Sequence, residues 1–316
     1  MQIEALPAQP LRRGTAVALG SFDGVHRGHQ AVIHLAAEFQ AKGMLPCVLS
    51  FYPHPAAVLN GAAPPALITP VLRCEAYAKA GAQAAYEVDF YSVCDMNPQQ
   101  FVTEILIGKL NARAVCCGFN FRFGKHGAGT PELLRELCGE YGLELRIAPS
   151  IVYEGSPVSS TRIRAAIENG DLPLANAMIG RPFAYDFEVV MGDRRGRTLG
   201  SPTINQEFPE NFILPRFGVY AGRAWVDSQW KCAVVNFGIR PTFSLPRPRS
   251  EAYILDYSGD LYGYHIKVQL LEYLRGEMKF DGVEKLKKQI TADASAARKV
   301  FLQFASEEGR RLDEKN

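Results

Sequence analysis

Two histidines stand three residues apart in the segment GSFDGVHRGHQ, Gly20 to Gln30. If a helix begins there, His26 and His29 face the same side, because residues three apart are neighbours on a helix surface. Imidazole donors beside phosphate oxygens suit a reaction whose transition state accumulates charge on those oxygens. Three glycines surround the pair, and glycine lets a backbone approach a ligand closely. The segment therefore predicts a phosphate-binding site for group transfer, although a helix cap would explain either histidine alone.

A second segment of this kind is GDRRGRTLGSPTIN, Gly192 to Asn205. Its glycines allow backbone amides to wrap around phosphates. Thr203 and Asn205 are two apart, so on an extended chain they point to the same side, and a hydroxyl and an amide oxygen can share one hard cation. Magnesium commonly takes only one or two protein ligands together with phosphate oxygens. The segment predicts a site for phosphate groups and a hard cation such as magnesium, although a glycine-rich hairpin with a proline turn would explain the glycines alone.

The elements around the histidines are a strand and a helix. The apolar run TAVAL precedes the segment, and AVIHLAAEFQAKG follows it with apolar residues at helical spacing. In an open parallel sheet such strand-to-helix turns lie at the carboxyl ends of the strands, where ligands bind. A capping residue followed by proline predicts the start of three further helices, at Thr69–Pro70, Asn97–Pro98 and Thr130–Pro131. Four βα units feeding a fifth strand predict an α/β fold, a doubly wound parallel sheet.

Three later loops of this half carry polar groups. His54 lies between prolines in FYPHP, where a structural turn and a ligand contact fit equally well. The loop GFNFRFGKHGAGT, residues 118–130, is dense in glycine and aromatic residues but fits neither the Walker pattern nor the dinucleotide fingerprint. Arg162 and Arg164 fall in the first turn of a helix, where cations oppose the helix dipole unless an anion lies between them. These loops point to an anionic ligand.

The pattern changes near residue 180. Alternating strands with Gly and Pro turns replace the strand–helix alternation, and five or six antiparallel strands predict a small closed barrel, which we take as six-stranded. The tail from residue 281 has one apolar helical face, which we expect to pack on that barrel. The predicted domains are residues 1–183 and 184–316.

Composition excludes several classes of protein. The chain has 316 residues, 47% of them hydrophobic, and a formal net charge of +2, which gives no electrostatic case for nucleic acid, since that usually requires clustered basic patches. No apolar run reaches membrane-spanning length, and the first residues lack the order of a secretory signal. Seven cysteines at irregular spacing predict reduced thiols in a cytoplasmic protein. The sequence does not determine the oligomeric state.

The run GSFDGVHRGH resembles the HxGH nucleotidyltransferase motif of the bacterial bifunctional riboflavin kinase/FAD synthetase family. The resemblance implies that this domain adenylylates FMN to FAD with release of diphosphate, and that the catalytic residues His26 and His29 steady the transfer. The PHP loop, NFRFG and SSTxxR are further features of the family. The implied ATP-binding residues are Gly20, Phe22, Asp23, Gly24, His26, Gly28, His29, His54, Asn120, Ser160, Thr161 and Arg164.

The segment GDRRGRTLGSPTIN is similar to the family's riboflavin kinase motif, and VVNFGIRPTF and SEAYILDYSGDLYG match two further kinase segments. The resemblance implies that the barrel phosphorylates riboflavin to FMN with release of ADP, with Thr203 and Asn205 as ligands of Mg²⁺. Glu251 is then the catalytic base for the ribityl hydroxyl. Ser201 departs from the motif where a large aromatic residue is usual, and Ile204 where alanine is usual. The implied ATP- or flavin-binding residues are Gly192, Gly196, Arg197, Gly200, Thr203, Asn205, Asn236, Arg240, Thr242 and Glu251.

Together the two resemblances predict a bifunctional enzyme of FAD biosynthesis, with ATP as co-substrate and riboflavin, FMN and FAD as substrates or products. One alternative is that a single module is active and the other is a flavin-binding or regulatory domain; Ser201 and Ile204 point to the barrel as the altered one. Another is that the HxGH domain transfers a nucleotide to a different phosphate, as in pantetheine-phosphate or nicotinamide-mononucleotide enzymes, against which the barrel argues. A nucleic-acid-binding protein is disfavoured by the charge.

Overall fold

The computed structural model describes residues 1–192, 202–239 and 248–313 of the chain. The chain divides into two compact units, Met1–Ser160 and Thr161–Asn316. Each unit is built around its own sheet and has its own hydrophobic core. No helix among these described residues is long and apolar enough to cross a membrane.

Parallel strands form the sheet of the first unit. They are β1 (Ile3–Ala5), β2 (Thr15–Leu19), β3 (Leu45–Tyr52), β4 (Ala84–Asp89), β5 (Ala112–Gly118) and β6 (Glu144–Ala148). Their order is β1-β4-β3-β2-β5-β6, and every neighbouring pair is parallel. From β2 the chain builds toward one edge through β3 and β4 and then crosses to the other side for β5 and β6. The loops after β2 and β5 therefore diverge at a topological switch point, where open parallel sheets bind ligands.

The predicted parallel sheet is confirmed, with one strand more than the sequence pattern indicated. The additional strand, β1, has only three residues and pairs with β4 at the edge of the sheet. Its sequence, IEA, is too short to show an alternating pattern. The central strand β2 is buried at every residue, which explains why TAVAL is apolar after its first residue. The one polar side chain, that of Thr15, donates its hydroxyl to Leu110 O at 2.7 Å.

Helices connect these strands. They are α1 (Arg27–Ala37), α2 (Pro55–Asn60), α3 (Pro70–Lys79), α4 (Phe90–Val93), α5 (Pro98–Gln100) and α6 (Pro131–Glu140), followed by α7 (Ser160–Asn169) and α8 (Leu172–Ile179). The three predicted caps are confirmed. The side chains of Thr69, Asn97 and Thr130 each accept a hydrogen bond from a backbone amide in the first turn of α3, α5 and α6.

One predicted helix has a different geometry. The stretch QQFVTEILIGKL was expected to be an ordinary α-helix, but α5 gives way to a π-helix at Phe101–Ile107. Its wider turn is closed by a hydrogen bond from Gly108 N to Thr103 O at 2.9 Å, five residues back. Four of its seven residues are buried in the core of the first unit, so apolar burial sets the position of this segment.

A short antiparallel pair, β7 (Val152–Tyr153) and β8 (Ser156–Pro157), follows β6. Antiparallel strands also form the sheet of the second unit. They are β9 (Phe183–Tyr185), β10 (Val189–Val190), β11 (Thr203–Glu207), β12 (Gly218–Val226), β13 (Gln229–Ile239), β14 (Pro248–Ile254) and β15 (Val268–Arg275). Their order is β10-β11-β14-β13-β12-β15-β9. The described sheet thus has seven strands where six were predicted. The pattern missed β9, which has three residues, and β11, whose residues TINQE look like the end of a glycine-rich loop.

The division between the units differs from the predicted boundary after residue 183. Contacts place α8 with the second unit, because Asn176 of α8 bonds to two of its strands. Asn176 Nδ2 donates to Leu270 O at 3.1 Å, and Asn176 Oδ1 accepts from Phe183 N at 2.7 Å. The compact units therefore meet after Ser160. The boundary at 183/184 stays a prediction for where one functional domain ends.

The chain ends in the long helix α9 (Val283–Asp313), as the apolar spacing predicted. Ala294, Ala297 and Phe301 pack on the sheet of the second unit. The first residue of the predicted apolar face, Val283, is exposed instead. Two arginines of the sheet hold the helix: Arg275 pairs with its Asp293 and Arg223 with its Glu308, each at 2.7 Å.

Candidate active sites

The chain leaves β2 through a turn with an unusual backbone. Phe22, Gly24 and Val25 have positive φ angles of 51°, 76° and 42°. This left-handed conformation costs a residue with a side chain about 1–3 kcal/mol, so the surroundings must hold it. The turn ends at His26, which has an extended backbone and is the N-cap of α1. The strand-to-helix turn predicted from the sequence is confirmed.

Asp23 braces this turn. Its Oδ1 accepts a hydrogen bond from Leu67 N at 3.1 Å, and its carbonyl oxygen accepts one from Ser160 Oγ at 3.0 Å. Gly24 is buried against Leu67, and a Cβ on Gly24 would lie 3.0 Å from Leu67 Cδ1. Asp23 and Gly24 thus shape the turn, and neither is among the described residues that line the adjacent cavity. A direct contact of either residue with ATP stays a prediction.

His26 and His29 lie side by side at the start of α1. Their ring centroids are 3.6 Å apart with an interplanar angle of 19°, and His26 Nδ1 accepts a hydrogen bond from His29 N at 3.4 Å. The edge of Phe22 packs against His29, with centroids 5.5 Å apart. A Cβ on Gly28 would lie 3.2 Å from His26 Cε1, so glycine leaves the ring its room. The structure brings together the pair that the spacing predicted.

A cavity of about 540 Å³ opens at the switch point of the sheet. Seven of the predicted ATP-binding residues line it: Gly20, Phe22, His26, Gly28, His29, Asn120 and Ser160. They come from the loops after β2 and β5 and from the start of α7, which the parallel order brings to one edge. A site with a helix start and two imidazoles suits a polyphosphate.

Another part of the same cavity wall is aromatic. Phe51 and Phe90 meet edge to face with centroids 5.7 Å apart, and Phe121 and Phe123 are stacked at 5.7 Å. Phe101 of the π-helix packs against Phe123 and also lines the cavity. Flat apolar walls of this kind suit a planar ring system. The cavity therefore offers a polar surface for phosphates and an apolar one for an aromatic ring.

His54 has a structural role in the described chain. Its Nδ1 accepts a hydrogen bond from Ala56 N at 3.1 Å and so caps α2, and the residue is not among those lining the cavity. This bond accounts for a structural turn and does not test the ligand contact, which was the other alternative. Thr161 and Arg164 belong to the second unit. Nucleotide contacts of these three residues stay predictions.

The buried thiols of this unit are unsuited to nucleophilic chemistry. Cys116 and Cys117 on β5 are fully buried, as expected for small core residues. Burial raises the pKa of each thiol to about 12, and it raises the pKa of Cys47 on β3 to about 12 as well. A thiol with such a pKa stays protonated at neutral pH, whereas the thiolate is the nucleophile. These three thiols are therefore core residues, and none of them lines the cavity.

The second site is built on the register of three strands. Asn205 on β11 lies directly opposite Glu251 on β14, and Glu251 lies directly opposite Asn236 on β13. Directly opposite residues share a face of the sheet, with Cβ atoms about 4.5–5.5 Å apart. Thr203 is two residues from Asn205 on the same strand and so shares that face. Four predicted residues from distant parts of the sequence therefore form one polar row.

A cavity of about 530 Å³ adjoins this row. Thr203 and Asn205 line it on one side, and the loop from Tyr257 to Tyr262 lines it on another. Gly192 borders Asn205: a Cβ on Gly192 would lie 2.7 Å from Asn205 Cγ. Glycine at this position lets Asn205, a buried side chain, keep its place. Thr203 and Asn205 are thus accessible from a cavity large enough for a small molecule.

The donor set of this site fits magnesium. A hydroxyl and an amide oxygen are hard oxygen ligands, and magnesium needs only one or two such protein ligands besides phosphate oxygens and waters. Within the described ranges, no group of three or more His, Cys, Asp or Glu side chains could hold a metal. The remaining predicted kinase residues lie outside the described residues: Gly196, Arg197, Gly200, Arg240 and Thr242, together with Ser201.

Several residues that line or support the two cavities were not predicted from the sequence. The aromatic wall comes from strand ends and helices far apart in sequence, and only the density of phenylalanine in GFNFRFG signalled part of it. The loop from Tyr257 to Tyr262 was noted as a motif but not placed in the site. Gln30, whose side chain holds the turn before α1, carried no signal beyond its place after the second histidine.

Comparisons with known proteins match both halves of the chain. A family model described as FAD synthetase matches residues 8–162, and one described as riboflavin kinase matches residues 179–301. Three curated relatives carry the name bifunctional riboflavin kinase/FMN adenylyltransferase. The Bacillus subtilis protein is 37% identical, over 91% of this chain and 92% of the relative. The Listeria monocytogenes protein is 36% identical (90% and 92%), and the Escherichia coli K12 protein is 34% identical (93% and 95%).

A solved structure is similar over most of the chain. It is titled as a macrolide-efflux protein from Streptococcus pneumoniae, and it matches with a TM-score of 0.85 and 30% sequence identity. The match covers 94% of this chain and 98% of that one.

Proposed function

The chain belongs to the family of bifunctional riboflavin kinase/FMN adenylyltransferases, and on this premise we propose how its two sites divide the work. The enzyme converts riboflavin and ATP to FMN and ADP, and FMN and ATP to FAD and diphosphate. The cavity beside His26 and His29 is the adenylyltransferase site. The row that contains Asn205 and Glu251 is the kinase site. The observation that carries the assignment is that His26, Gly28 and His29 of the HxGH motif line a cavity of the first unit, and that Thr203 and Asn205 of the kinase motif line a cavity of the second.

In the first site, a phosphate oxygen of FMN attacks the α-phosphorus of ATP, and diphosphate leaves. Catalysis is by positioning and charge stabilisation, without a covalent intermediate on the protein. His26 and His29 face the charge that develops on the phosphate oxygens, and amides at the start of α1 add to their effect. The apolar wall with Phe51, Phe101 and Phe123 seats the isoalloxazine ring, because stacked and edge-on aromatic side chains suit that ring system.

In the second site, the terminal ribityl hydroxyl of riboflavin attacks the γ-phosphorus of ATP, and ADP leaves. Glu251 accepts the proton of that hydroxyl. Thr203 and Asn205 hold Mg²⁺, which when bound offsets the charge on the phosphate oxygens. Asn236 completes the row beside Glu251 and orients the hydroxyl by hydrogen bonding. The cavity lined by Thr203, Asn205 and the loop from Tyr257 to Tyr262 takes the nucleotide.

We further propose that the sheet of the second unit closes into the predicted barrel. In β10, Val189 N donates to Tyr264 O and Val189 O accepts from Gly263 N, both at 2.9 Å, and Gly263 and Tyr264 come just before β15. These bonds link the two ends of the sheet.

A cytoplasmic location is also proposed, because the seven cysteines are free thiols and thiols stay reduced in that compartment. The absence of nucleic-acid and membrane partners stays a prediction. Both family models match, which argues against a chain with a single active module.

Two substitutions test the assignment of the sites. His29→Ala is expected to lower FAD formation from supplied FMN about 100-fold or more and to leave FMN formation unchanged, because it removes a donor at the transferring phosphate. Glu251→Ala is expected to do the reverse, because it removes the base. Chromatography of flavin products over time measures both reactions on one chain.

Each variant has a matched control. His34 is an exposed histidine on the same helix as His29, and Glu272 is an exposed glutamate on β15. His34→Ala and Glu272→Ala should keep both activities. Loss of both activities in a folded His29→Ala or Glu251→Ala chain would refute the separation of the two sites.

A further inference from the structure

The side chain of Gln30 is hydrogen-bonded to the turn that leads into the histidine pair. Gln30 lies in the first turns of α1, and its Nε2 donates to the carbonyl oxygen of Val25 at 2.8 Å. Its backbone amide donates to the carbonyl oxygen of His26 at 2.9 Å. One residue therefore binds two consecutive carbonyls, immediately before and at the helix N-cap.

Val25 is the residue of the turn that most needs to be held. It is fully buried and has a φ of 42°, although its side chain is branched at Cβ. Such a residue is a strong outlier in the left-handed region. Such backbone strain persists only where the surroundings fix the conformation. The hydrogen bond from Gln30 Nε2 to Val25 O holds the carbonyl group of this strained residue in place.

The position of the His26 ring depends on the same peptide unit. Val25 O and His26 N belong to the peptide that leads into His26, whose backbone is extended and whose Nδ1 accepts from His29 N at 3.4 Å. The centroids of the two imidazole rings are 3.6 Å apart. The His26 ring also lies close to Gly28, where an added Cβ would be 3.2 Å from His26 Cε1. A rotation of the peptide before His26 would move its ring against His29.

Gln30 itself is not among the described residues that line the cavity. Gln30 therefore does not contact a substrate in that cavity, and it is not a catalytic residue. We propose that Gln30 is a positioning residue for the adenylyl transfer: its side-chain amide fixes the Val25 peptide and so holds His26 against His29 in the geometry that the transition state requires. This inference rests on the proposed role of the histidine pair and adds to it the group that orients the pair.

The test replaces the amide without changing the length of the side chain. Gln30→Met removes the donor, and Gln30→Glu puts a carboxylate against the Val25 carbonyl. Both variants are expected to lower kcat for FAD formation about 10- to 100-fold, since a small misplacement of catalytic groups costs that much. The KM values for FMN and ATP should stay within about twofold, because ground-state binding is retained. FMN formation on the same chain should be unchanged.

The controls separate positioning from other roles. Gln40→Met changes an exposed glutamine just after α1 and should leave kcat unchanged. The proposal is overturned if both Gln30 variants keep the parent kcat, or if KM rises while kcat is constant. If the Gln30 variants no longer bind ATP in isothermal titration, the proposal is overturned as well, because the side chain would then be needed for the structure of the whole site and not for the position of His26. His29→Ala, assayed in parallel, shows which idea fails: if it retains FAD formation, the assignment of the site falls, and otherwise only the role of Gln30 does.

Discussion

Single atoms decide several positions of the two sites. Gly28 and Gly192 are absent from the residues with positive φ, so their backbones do not require glycine. Each is glycine because a Cβ would meet a functional side chain: His26 at 3.2 Å in one case and Asn205 at 2.7 Å in the other. At the residue scale the motifs thus combine reactive groups with the space that these groups need.

Thr203 gives a prediction at this scale. Thr203→Val keeps the shape of the side chain and removes the hydroxyl that we assign to magnesium. FMN formation is expected to fall about tenfold or more, and the Mg²⁺ concentration for half-maximal rate is expected to rise, because one hard oxygen ligand is lost. FAD formation from supplied FMN should not change.

The control for this prediction is Thr291→Val. Thr291 is exposed on α9, and its Oγ1 only bonds back to Lys287 O at 3.1 Å within the described hydrogen bonds. An unchanged magnesium dependence in Thr203→Val would contradict the metal assignment.

At the scale of the elements, the strand–turn–helix unit around β2 has its backbone strain at the proposed adenylyltransferase site. The turn has three positive φ angles within four residues, and Asp23, Ser160 and Gln30 hold it by side-chain hydrogen bonds. The second site uses a different device, because the register of paired strands aligns its polar row. A turn gives a close approach to phosphate, whereas a sheet gives fixed distances between side chains.

Gly24→Ala tests the strained turn. Gly24 has a φ of 76°, and a Cβ there would also meet Leu67 at 3.0 Å. We expect the free energy of unfolding of the first unit to fall by about 1–3 kcal/mol, and FAD formation to fall with it. Hydrogen exchange of the β2 amides measures the unfolding free energy.

Gly43→Ala is the matched control, because Gly43 has a φ of 79° with nothing within 4 Å of its Cβ position. The Gly43→Ala variant therefore loses only the free energy that a left-handed backbone costs alanine, without a steric contact. Gly24→Ala should therefore destabilise the unit more than Gly43→Ala does; equal losses would show that the contact with Leu67 is unimportant.

At the scale of the whole molecule, each unit has internal contacts that stabilise it. In the second unit, Arg223 is buried under α9 between the rings of Trp230 and Phe304, at 4.3 and 4.7 Å from their centroids. Its Nε donates to Gln269 at 2.6 Å, and Glu308 of α9 accepts from both of its terminal nitrogens. The arginine joins the sheet to the C-terminal helix.

Glu308→Ala is expected to lower the free energy of unfolding of the second unit by about 1–3 kcal/mol. Removing the acid leaves the charge of Arg223 buried, and partial exposure of Glu308 reduces the loss below that of a fully buried pair. Both tryptophans of the chain, Trp225 and Trp230, belong to this unit, so urea unfolding followed by tryptophan fluorescence reports on it alone. Glu307→Ala, one position earlier, should have little effect; an equal shift in both variants would contradict the role of Arg223.

The buried thiols predict a dependence on alkaline pH. Burial raises the pKa of Cys47 from 9.0 to about 12 and the pKa of Cys138 and Cys232 to about 11. Below pH 9 folded and unfolded chains both keep these protons, so the contribution to stability is complete there. Between about pH 9 and pH 12 the unfolded chain loses them first, and the free energy of unfolding falls.

Urea titrations from pH 8 to pH 10.5 measure this fall. Cys47→Ala should reduce its slope, whereas Cys94→Ala, at a partly exposed position, should not. A slope that is the same in the parent chain and in Cys47→Ala would contradict burial of that thiol as a cause.

The sequence by itself determined the features that depend on neighbouring residues. The caps at Thr69, Asn97 and Thr130, the strand before the histidines and the helix after them follow from local hydrogen bonding and apolar period, and all are present. The motifs also identified the family, because each is a contiguous run with a recognisable spacing.

Only the tertiary structure decided which of these residues meet. Asn205, Glu251 and Asn236 form a row because β14 pairs with both β11 and β13, and strand pairing is a long-range choice that no local pattern contains. The same holds for the aromatic wall of the first cavity, for the extra strands β1 and β9, and for the division of the chain after Ser160. Local periodicity fixes an element's type, whereas burial against distant residues fixes its partners.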